Sequence, residues 1–382
     1  MINYDYIIIG AGAAGLMLAN AFGSDPYFKN KTILIIEKNA KQTNDRTWCF
    51  WEKKIGTFDD ILHKKWNAIN FLGKEINKTY DITPYSYKMI KGIDFYHSYL
   101  KKIALYPNIT IVQEEVVRIE DTTSKSTVFT IENSYKATKI FNSIYDFKEP
   151  LNQVKYPVLQ QHFIGWFIKT DKFVFNKKTA TFMDFSIPQK GNTRFMYILP
   201  FSETEALVEY TLFSENLLEK DEYEKAIKNY LKENLAVVNY EIIGKEKGSI
   251  PMTCYPFYKK NSASMLYIGT AGGWSKASTG YTFMNTSKKV NALLHHLKKE
   301  KPLTAFHKKN KFWFYDLLLL DILFKNNELG QSIFEALFKK RSPQLIFKFL
   351  DEETNIWEDI KFISSLKPLP FLKALAKRII RT

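Results

Sequence analysis

The chain has 382 residues, of which 45% are hydrophobic and 15% aromatic, and 55 Lys or Arg stand against 40 Asp or Glu for a formal charge of +15. That length can bury a large core and suggests two or three domains, and no uninterrupted run of 18 apolar residues offers a membrane-spanning helix. Cys49 and Cys254 form neither a C-x-x-C nor a metal-ligand spacing, so they read as core residues in a reducing setting, and Met1 to Asp5 lacks the basic leader of a signal peptide.

Tyr4 to Ile9 predicts a buried strand, Gly10-Ala11-Gly12-Ala13-Ala14-Gly15 a glycine turn, and Leu16 to Phe22 a helix. The next strand, Thr32 to Ile36, ends in Glu37, an acidic residue at the spacing that accompanies G-x-G-x-x-G in dinucleotide-binding units. Gly10 permits the tight turn, Gly12 lets the backbone approach a pyrophosphate, and Gly15 lets the helix pack close to the strand. Ala13 and Ala14 bring free N–H groups of the helix N-terminus to the phosphates, and Glu37 can accept bonds from the adenosine ribose hydroxyls. This unit alone leaves the choice between FAD and NAD open.

A loop carrying Asp45-Arg46-Thr47-Trp48-Cys49-Phe50-Trp51 follows, then a helix over Asp94 to Leu105, a strand over Ile109 to Val117, and a strand pair within 128–145. From 157 to 213 the pattern turns antiparallel, with aromatic and β-branched strands at Phe163 to Ile168, Thr179 to Phe185, Arg194 to Leu199 and Ala206 to Phe213. A polar helix is expected over Asp221 to Leu235, another near Phe283 to Lys299, and the remainder reads as helical.

Between those helices lies a second glycine-rich element, Gly269-Thr270-Ala271-Gly272-Gly273 and onward to Gly280, after a short apolar strand. A second cluster of backbone donors suits the pyrophosphate-ribityl part or the ring edge of an extended FAD. Here the chain resembles the FAD-dependent superfamily of aromatic hydroxylases, flavin halogenases and geranylgeranyl reductases, whose late motif runs G-D-A-A-G and then P-x-x-G. Thr270 stands where that superfamily usually has an aspartate, and Ala277 replaces the proline. The expected fold is α/β: a Rossmann-like FAD-binding domain from 1–75, 94–150 and 250–299, an antiparallel-sheet substrate domain from 76–93 and 151–249, and a helical, basic region over 300–382.

In the strand from Ala206 to Phe213, alternation puts Leu207, Glu209, Thr211 and Phe213 on one face and Ala206, Val208, Tyr210 and Leu212 on the other. Glu209 is then either on a wet face or in an apolar pocket that raises its pKa. The blocks Asp45 to Trp51, Phe182 to Phe185, Tyr197 to Ser202, Leu207 to Thr211 and Ser278 to Tyr281 occur in the order seen in lycopene β-cyclases of carotenoid-making bacteria, which the chain resembles over residues 1–290. Leu-Val-Glu-Tyr-Thr is similar to the F-L-E-E-T region of that family, departing at Tyr210, and maps Glu209 onto the glutamate used as acid. The resemblance implies conversion of lycopene through γ-carotene to β-carotene by a redox-neutral cyclisation that needs reduced FAD, with NAD(P)H as a possible reductant. It also implies Gly269, Thr270, Gly272, Gly280 and Tyr281 as flavin-binding residues.

Asp184 is the second candidate acid or an orienter of Glu209, with a plain strand-end aspartate as the alternative, and Arg46 is expected against FAD or a buried carboxylate. Trp48, Trp51 and Tyr281 are candidates for cation–π support. Lys276 reads as a solvated loop lysine, with steering of the flavin's negative charge as the alternative, and His162, His295 and His296 read as structural. Residues 298–382 hold 17 Lys or Arg and 10 Asp or Glu, hence 17 − 10 = +7, interleaved with Phe312-Trp313-Phe314-Tyr315 and Leu317 to Leu320. Such a stretch suits an anionic lipid surface or ordinary solvated lysines, and no nucleic-acid module is present. The expected location is peripheral, on the cytoplasmic side of the inner membrane. A flavin monooxygenase or polyprenyl reductase of the same fold using NAD(P)H is the alternative function, and a non-catalytic, membrane-bound FAD or carotenoid carrier is a third.

Overall fold

The computed structural model describes residues 2–121 and 126–380. Met1, residues 122–125 of the expected 94–150 segment, and residues 381–382 of the C-terminal region lie outside the described residues. In chain order the first half contains β1 (Ile2–Ile9), α1 (Ala13–Ser24), β2 (Ile33–Glu37), β3 (Thr47–Lys53), β4 (Lys64–Trp66), β5 (Ala68–Leu72), β6 (Asn77–Asp81) and β7 (Tyr85–Lys91). Then come α2 (Gly92–Ile103), β8 (Ile109–Gln113), β9 (Val116–Glu120), β10 (Ser126–Thr130), β11 (Ser134–Asn142), β12 (Val158–Thr170), β13 (Thr179–Asp184), β14 (Thr193–Pro200) and β15 (Glu205–Ser214). The rest comprises α3 (Lys220–Glu233), β16 (Tyr240–Thr253), β17 (Met265–Tyr267), α4 (Phe283–Lys298), α5 (Lys311–Lys325), α6 (Leu329–Lys340), α7 (Pro343–Leu350), α8 (Ile356–Ile363) and α9 (Pro368–Ile380).

The run Tyr6 to Ile9 is apolar on both faces because β1 lies between the parallel strands β2 and β11 in a sheet covered on both sides. The sheet order is β8-β2-β1-β11, with β10 and β17 sharing the outer edge of β11, β10 along its first half and β17 along its second, and β9 beyond β10. Ile8, Leu16, Leu18, Phe22, Ile33, Ile35 and Leu293 pack between this sheet and α1, α2 and α4, while Ile7, Ile9, Leu34 and Ile36 fill its other side. The second sheet runs β16-β12-β15-β14-β13-β5-β6 and is antiparallel except where β13 meets β5. Its two faces divide as the alternation of β15 predicts: Leu207 and Phe213 join a core with α5, α6 and α7, and Val208, Tyr210 and Leu212 pack under α3.

Three expectations change. The Asp45 to Trp51 segment is a strand from Thr47 onward rather than a loop, because β3 pairs with β7 from Thr47↔Lys91 to Lys53↔Tyr85, and β4 completes a three-stranded sheet. The strand expected over Ile109 to Val117 breaks at Glu114, whose carboxylate accepts hydrogen bonds from Thr130, Asn133 and Tyr135 at 2.6, 2.9 and 2.7 Å. Residues 68–72, grouped by sequence with the nucleotide-binding segment, are β5 of the second sheet, and residues 240–253 form the long edge strand β16 along β12.

The C-terminal region is helical, with side-chain caps at Asn310, Ser342 and Asn355, the last a capping box with Glu358. Phe312, Leu317, Leu320 and Leu323 of α5 are core residues, so most of the aromatic and leucine-rich run faces inward. Among the described residues no helix is long and apolar enough to cross a membrane.

Candidate active site

Gly10 has φ of +94°, a conformation that favours glycine, and its N–H donates to Ile36 O at 2.8 Å, which binds the turn to β2. A Cβ on Gly15 would stand 1.9 Å from Gly10 O, so only glycine lets α1 lie this close to the turn. A Cβ on Gly12 would meet nothing within 4 Å, which leaves open space at the N-terminus of α1. Glu37 faces the turn: Oε2 accepts from Ala11 N at 2.6 Å, Oε1 from Asn39 N at 2.9 Å, and Lys41 Nζ pairs with it at 3.4 Å.

The late glycine element lands on the same helix. Gly269, with φ of +61°, sits so that a Cβ would be 3.0 Å from Ala14 Cβ, and the tight turn Gly269–Gly272 continues to a left-handed Gly273. A Cβ on Gly272 would fall 2.1 Å from Tyr267 O. Gly12 to Gly15, Arg46, Gly269, Thr270, Gly280 and Tyr281 thus line one cavity of about 580 Å³, within the range of cofactor and ligand sites. Arg46 projects into it half-exposed, with Nη2 3.0 Å from Asp45. Gln161 Oε1, Thr279 Oγ1 and Thr286 Oγ1 are buried in its wall without a hydrogen-bond partner among the described residues. Buried polar atoms are nearly always satisfied, so three orphans on one wall mark a place built for a polar ligand.

The far end of this cavity is apolar and holds Glu209. Leu207, Phe195, Phe213, Phe182 and Met183 come from the sheet, and Phe334, Leu337, Phe338, Ile346 and Phe362 roof it from α6, α7 and α8. Glu209 is 7% exposed, and Oε1 accepts from Thr211 Oγ1 at 2.5 Å. Burial, then the nearby Glu246 carboxyl, push its pKa well above the carboxylate range, against a smaller opposing effect of the Thr211 bond. Tyr87, Tyr197 and Tyr281 bring hydroxyls together beside it, with Tyr87 bonded to Tyr197 and 3.4 Å from Tyr281, and burial raises the pKa of all three.

Other candidates fall elsewhere. Asp184 is fully buried but belongs to the opposite side: Tyr230 of α3 donates to Oδ2 at 2.5 Å and Ser186 N to Oδ1 at 2.8 Å. It anchors α3 and does not join Glu209, which corrects its expected role as acid or orienter. Tyr210, where the block departs from its family pattern, also faces α3 and accepts from Arg194 Nη1 at 2.9 Å, so the departure does not touch the cavity. Trp48 lines the cavity, whereas Trp51 stacks on Phe347 at 4.7 Å and backs Tyr281 from behind. His162 is structural, held between Ser214 and Tyr223, and burial lowers its pKa to about 4. Lys276 is not solvated: it is buried between Asp316 and Glu352 at 3.0 Å each.

Glu246 is the residue that the sequence reading missed. It lies on β16 at 8% exposure, its Oε2 accepting from Thr47 Oγ1 at 2.6 Å, and burial raises its pKa as well. Nothing in its own neighbourhood, Lys245-Glu246-Lys247, signals burial; only the 2-residue alternation of a strand not recognised there could have.

The protein-family model described as "Lycopene cyclase protein" matches residues 5–376. Solved structures with the same fold include a geranylgeranyl bacteriochlorophyll reductase-like protein from Thermoplasma acidophilum, at TM-score 0.59, 11% identity and coverage of 98% of this chain and 96% of that one. A flavoprotein/dehydrogenase from Cytophaga hutchinsonii matches at TM-score 0.59 and 13% identity over 100% of both chains. The p-nitrophenol 4-monooxygenase of Pseudomonas putida DLL-E4 matches at TM-score 0.56 and 12% identity, covering 98% of this chain and 99% of that one. No curated protein matches the sequence significantly. With its sequence matched over nearly its full length and its fold shared with these solved structures, the chain belongs to the lycopene cyclase family.

Proposed function

We propose that this chain is a lycopene β-cyclase, closing the ψ-ends of lycopene to β-ionone rings through γ-carotene to β-carotene without net redox change. The observation that carries this reading is Glu209, a carboxyl buried in an apolar chamber that opposes its ionisation and is continuous with the glycine-lined end of the cavity. A wholly apolar polyene offers no polar handle. An acid must therefore place a proton on C2 of the terminal C1=C2 bond, giving a tertiary cation at C1. The C5=C6 bond attacks it to close the ring, and loss of the C6 proton leaves the β-end. Protons balance and no electrons are gained or lost.

The site fits FAD. Gly12 leaves open space at a helix N-terminus, and Gln161, Thr279 and Thr286 present unpartnered polar atoms. Gly10, Gly12, Ala13, Ala14, Gly15, Glu37 and Arg46 would hold its adenosine and pyrophosphate side, and Gly269, Thr270, Gly272, Gly280 and Tyr281 its flavin side. When bound and reduced, the flavin supplies fixed negative charge next to a developing cation. The aromatic faces of Trp48 and Tyr281 add cation–π attraction, about 2 kcal/mol where water is excluded, and the roof of α6 to α8 excludes that water. NAD(P)H is the proposed reductant. Incubating lycopene with purified protein should give β-carotene with reduced FAD and none with oxidised FAD. NAD(P)H consumed mole for mole with product would instead support the monooxygenase or reductase reading.

The substrate dissolves in membranes, and we place the contact on α8 and α9 rather than on the largely buried α5. Phe362 of α8 lines the cavity, while Ile356, Trp357 and Ile360 on the same helix are exposed, Trp357 by 76%. Leu369, Leu372, Ile379 and Ile380 of α9 are exposed too, among the exposed Lys361, Lys367, Lys373 and Lys377. Apolar side chains set among lysines suit a peripheral site on anionic lipid. Replacing Trp357 and Ile360 together by serine should lower partitioning onto anionic vesicles by at least about tenfold; unchanged partitioning would refute the placement.

A further inference from the structure

Gly165 of β12 lies opposite Glu209 of β15 on one side and opposite Glu246 of β16 on the other. The three positions form one row across three strands, and no side chain stands between the outer two. A Cβ on Gly165 would stand 3.4 Å from Glu209 Cβ, 3.3 Å from Glu246 Cγ and 2.8 Å from Leu207 Cδ1. Both side chains therefore flank a bare glycine floor and line the same cavity. Each has one hydroxyl donor, Thr211 for Glu209 and Thr47 for Glu246, and neither oxygen set is bonded to a lysine or arginine among the described residues.

The geometry points to Glu246 as the proton partner of Glu209, the two carboxyls holding a single proton between them and returning it at the end of each ring closure. This rests on the cyclase reading for its chemistry but not for its geometry. Two carboxyls that feel each other's charge in an apolar chamber cannot both ionise readily, so the pair retains one proton where a lone exposed glutamate would have none. In the resting state the pair carries one negative charge. Proton transfer from Glu209 to C2 takes the pair to two negative charges as the substrate becomes a cation. The repulsion within the pair is then offset by attraction to that cation, so the pair favours the cationic state over the neutral one. Removal of the C6 proton by the pair restores its single proton and leaves a neutral product. One proton leaves, one returns, and no further acid or base is consumed. Glu246 is a positioning residue here: it acts through Glu209, setting when that acid is charged.

The groups that face the pair are few. Tyr197 of β14 pairs across from Glu209, Cys49 and Thr47 come from β3, Tyr87 from β7, and Tyr281 from the late glycine loop. The cations that line the same cavity are Arg46, which is paired with Asp45, and Lys247, which is exposed. Lys245 is directed to the other face of the sheet, over Trp166 and against Glu224. The tyrosines and the thiol are held neutral by burial, so the titration near neutrality belongs to the two carboxyls.

The test is an infrared titration of the protonated carboxyl band in the full-length, flavin-loaded protein, comparing wild type with Glu246→Gln, Glu246→Asp and Gly165→Ala. Wild type should keep a protonated carboxyl well above the ordinary carboxylate range. Glu246→Gln should lower the midpoint for Glu209 by about one pH unit or more, with kcat for lycopene in vesicles falling at least about tenfold and its alkaline limb moving down by the same amount. Glu246→Asp should recover part of both. Gly165→Ala keeps both acids but sets a methyl group between them, and should lower the midpoint even if Glu246→Gln proves unstable. A Glu209 midpoint unmoved by Glu246→Gln, or by Gly165→Ala, overturns the proposal. The infrared result is independent of turnover: a shared proton without pigment conversion in any variant would overturn the cyclase reading and leave the pair standing.

Discussion

Glu209→Gln should abolish ring closure, lowering kcat by about 10²–10⁴-fold as expected for loss of a general acid, while the flavin spectrum and binding stay as in wild type. The amide keeps the shape of the side chain and an oxygen that can accept the Thr211 hydroxyl, now held at 2.5 Å, so the strand and the cavity wall survive. What disappears is the proton. The same substitution has a signature in stability, with a definite sign. At pH below the ordinary carboxylate range Glu209 is protonated in both the folded and the unfolded chain and contributes no difference. As pH rises through that range the unfolded chain ionises, whereas burial and Glu246 keep the folded carboxyl protonated, so folding weakens until the raised folded pKa is passed. Glutamine does not titrate. The variant should therefore gain stability over wild type as pH rises across that window, by about 1.4 kcal/mol for each unit by which the folded pKa is raised. Urea unfolding at pH 4 and pH 8 measures this directly. Retained β-carotene formation would remove Glu209 as the donor, and a stability difference independent of pH would show that its carboxyl is not desolvated.

Lys276→Ala should destabilise the protein by about 3–5 kcal/mol, the usual cost of removing one partner from a buried ion pair. Lys276 Nζ lies 3.0 Å from both Asp316 of α5 and Glu352 after α7, and Asp316 is itself buried. Burial alone would pull the lysine pKa down, but the two carboxylates outweigh it and hold the ammonium charged, while burial pushes the Asp316 pKa up. Alanine leaves Asp316 without its counter-ion in a dry core. The backbone of Lys276 also exchanges hydrogen bonds with Tyr281 O and Gly280 N at 2.8 Å, so the loop that carries the proposed flavin-side residues shares the damage, and FAD affinity should fall together with stability. The double substitution Lys276→Met with Asp316→Leu removes both charges and should recover most of the loss, leaving Glu352 at the solvent edge. Urea denaturation of the single and double variants closes the cycle. A loss below about 1 kcal/mol for Lys276→Ala would mean a solvated pair.

The loop at Lys276 shows where reading by residue type fails. Nothing around Ser275-Lys276-Ala277 distinguishes it from a surface lysine, because the acids that bury it come from positions 316 and 352, on elements brought over the loop by packing of the C-terminal helices. Asp184 failed in the opposite direction: its block resembles a catalytic one, but a shift in the β13 register aims it at Tyr230 and α3. The segment from Thr47 to Lys53 escaped recognition as a strand because Trp48, Cys49, Phe50 and Trp51 hide the alternation that would mark it.

The geometry of the first glycine turn was fully legible in the sequence, since every demand on it is local. Gly10, Gly12, Gly15 and Glu37 serve a turn, a helix terminus and the next strand, all within about 30 residues, and backbone sterics dictate those residue types wherever such a unit occurs. The facing of Glu209 was legible for the same kind of reason, a strand period of two. Its environment was not. Whether that carboxyl meets water, a lysine or another acid depends on which strands pair beside it, and the pairing of residue 209 with 165 and of 165 with 246 is long-range. Only the folded sheet decides it, because desolvation and charge coupling act through space between residues the chain keeps far apart.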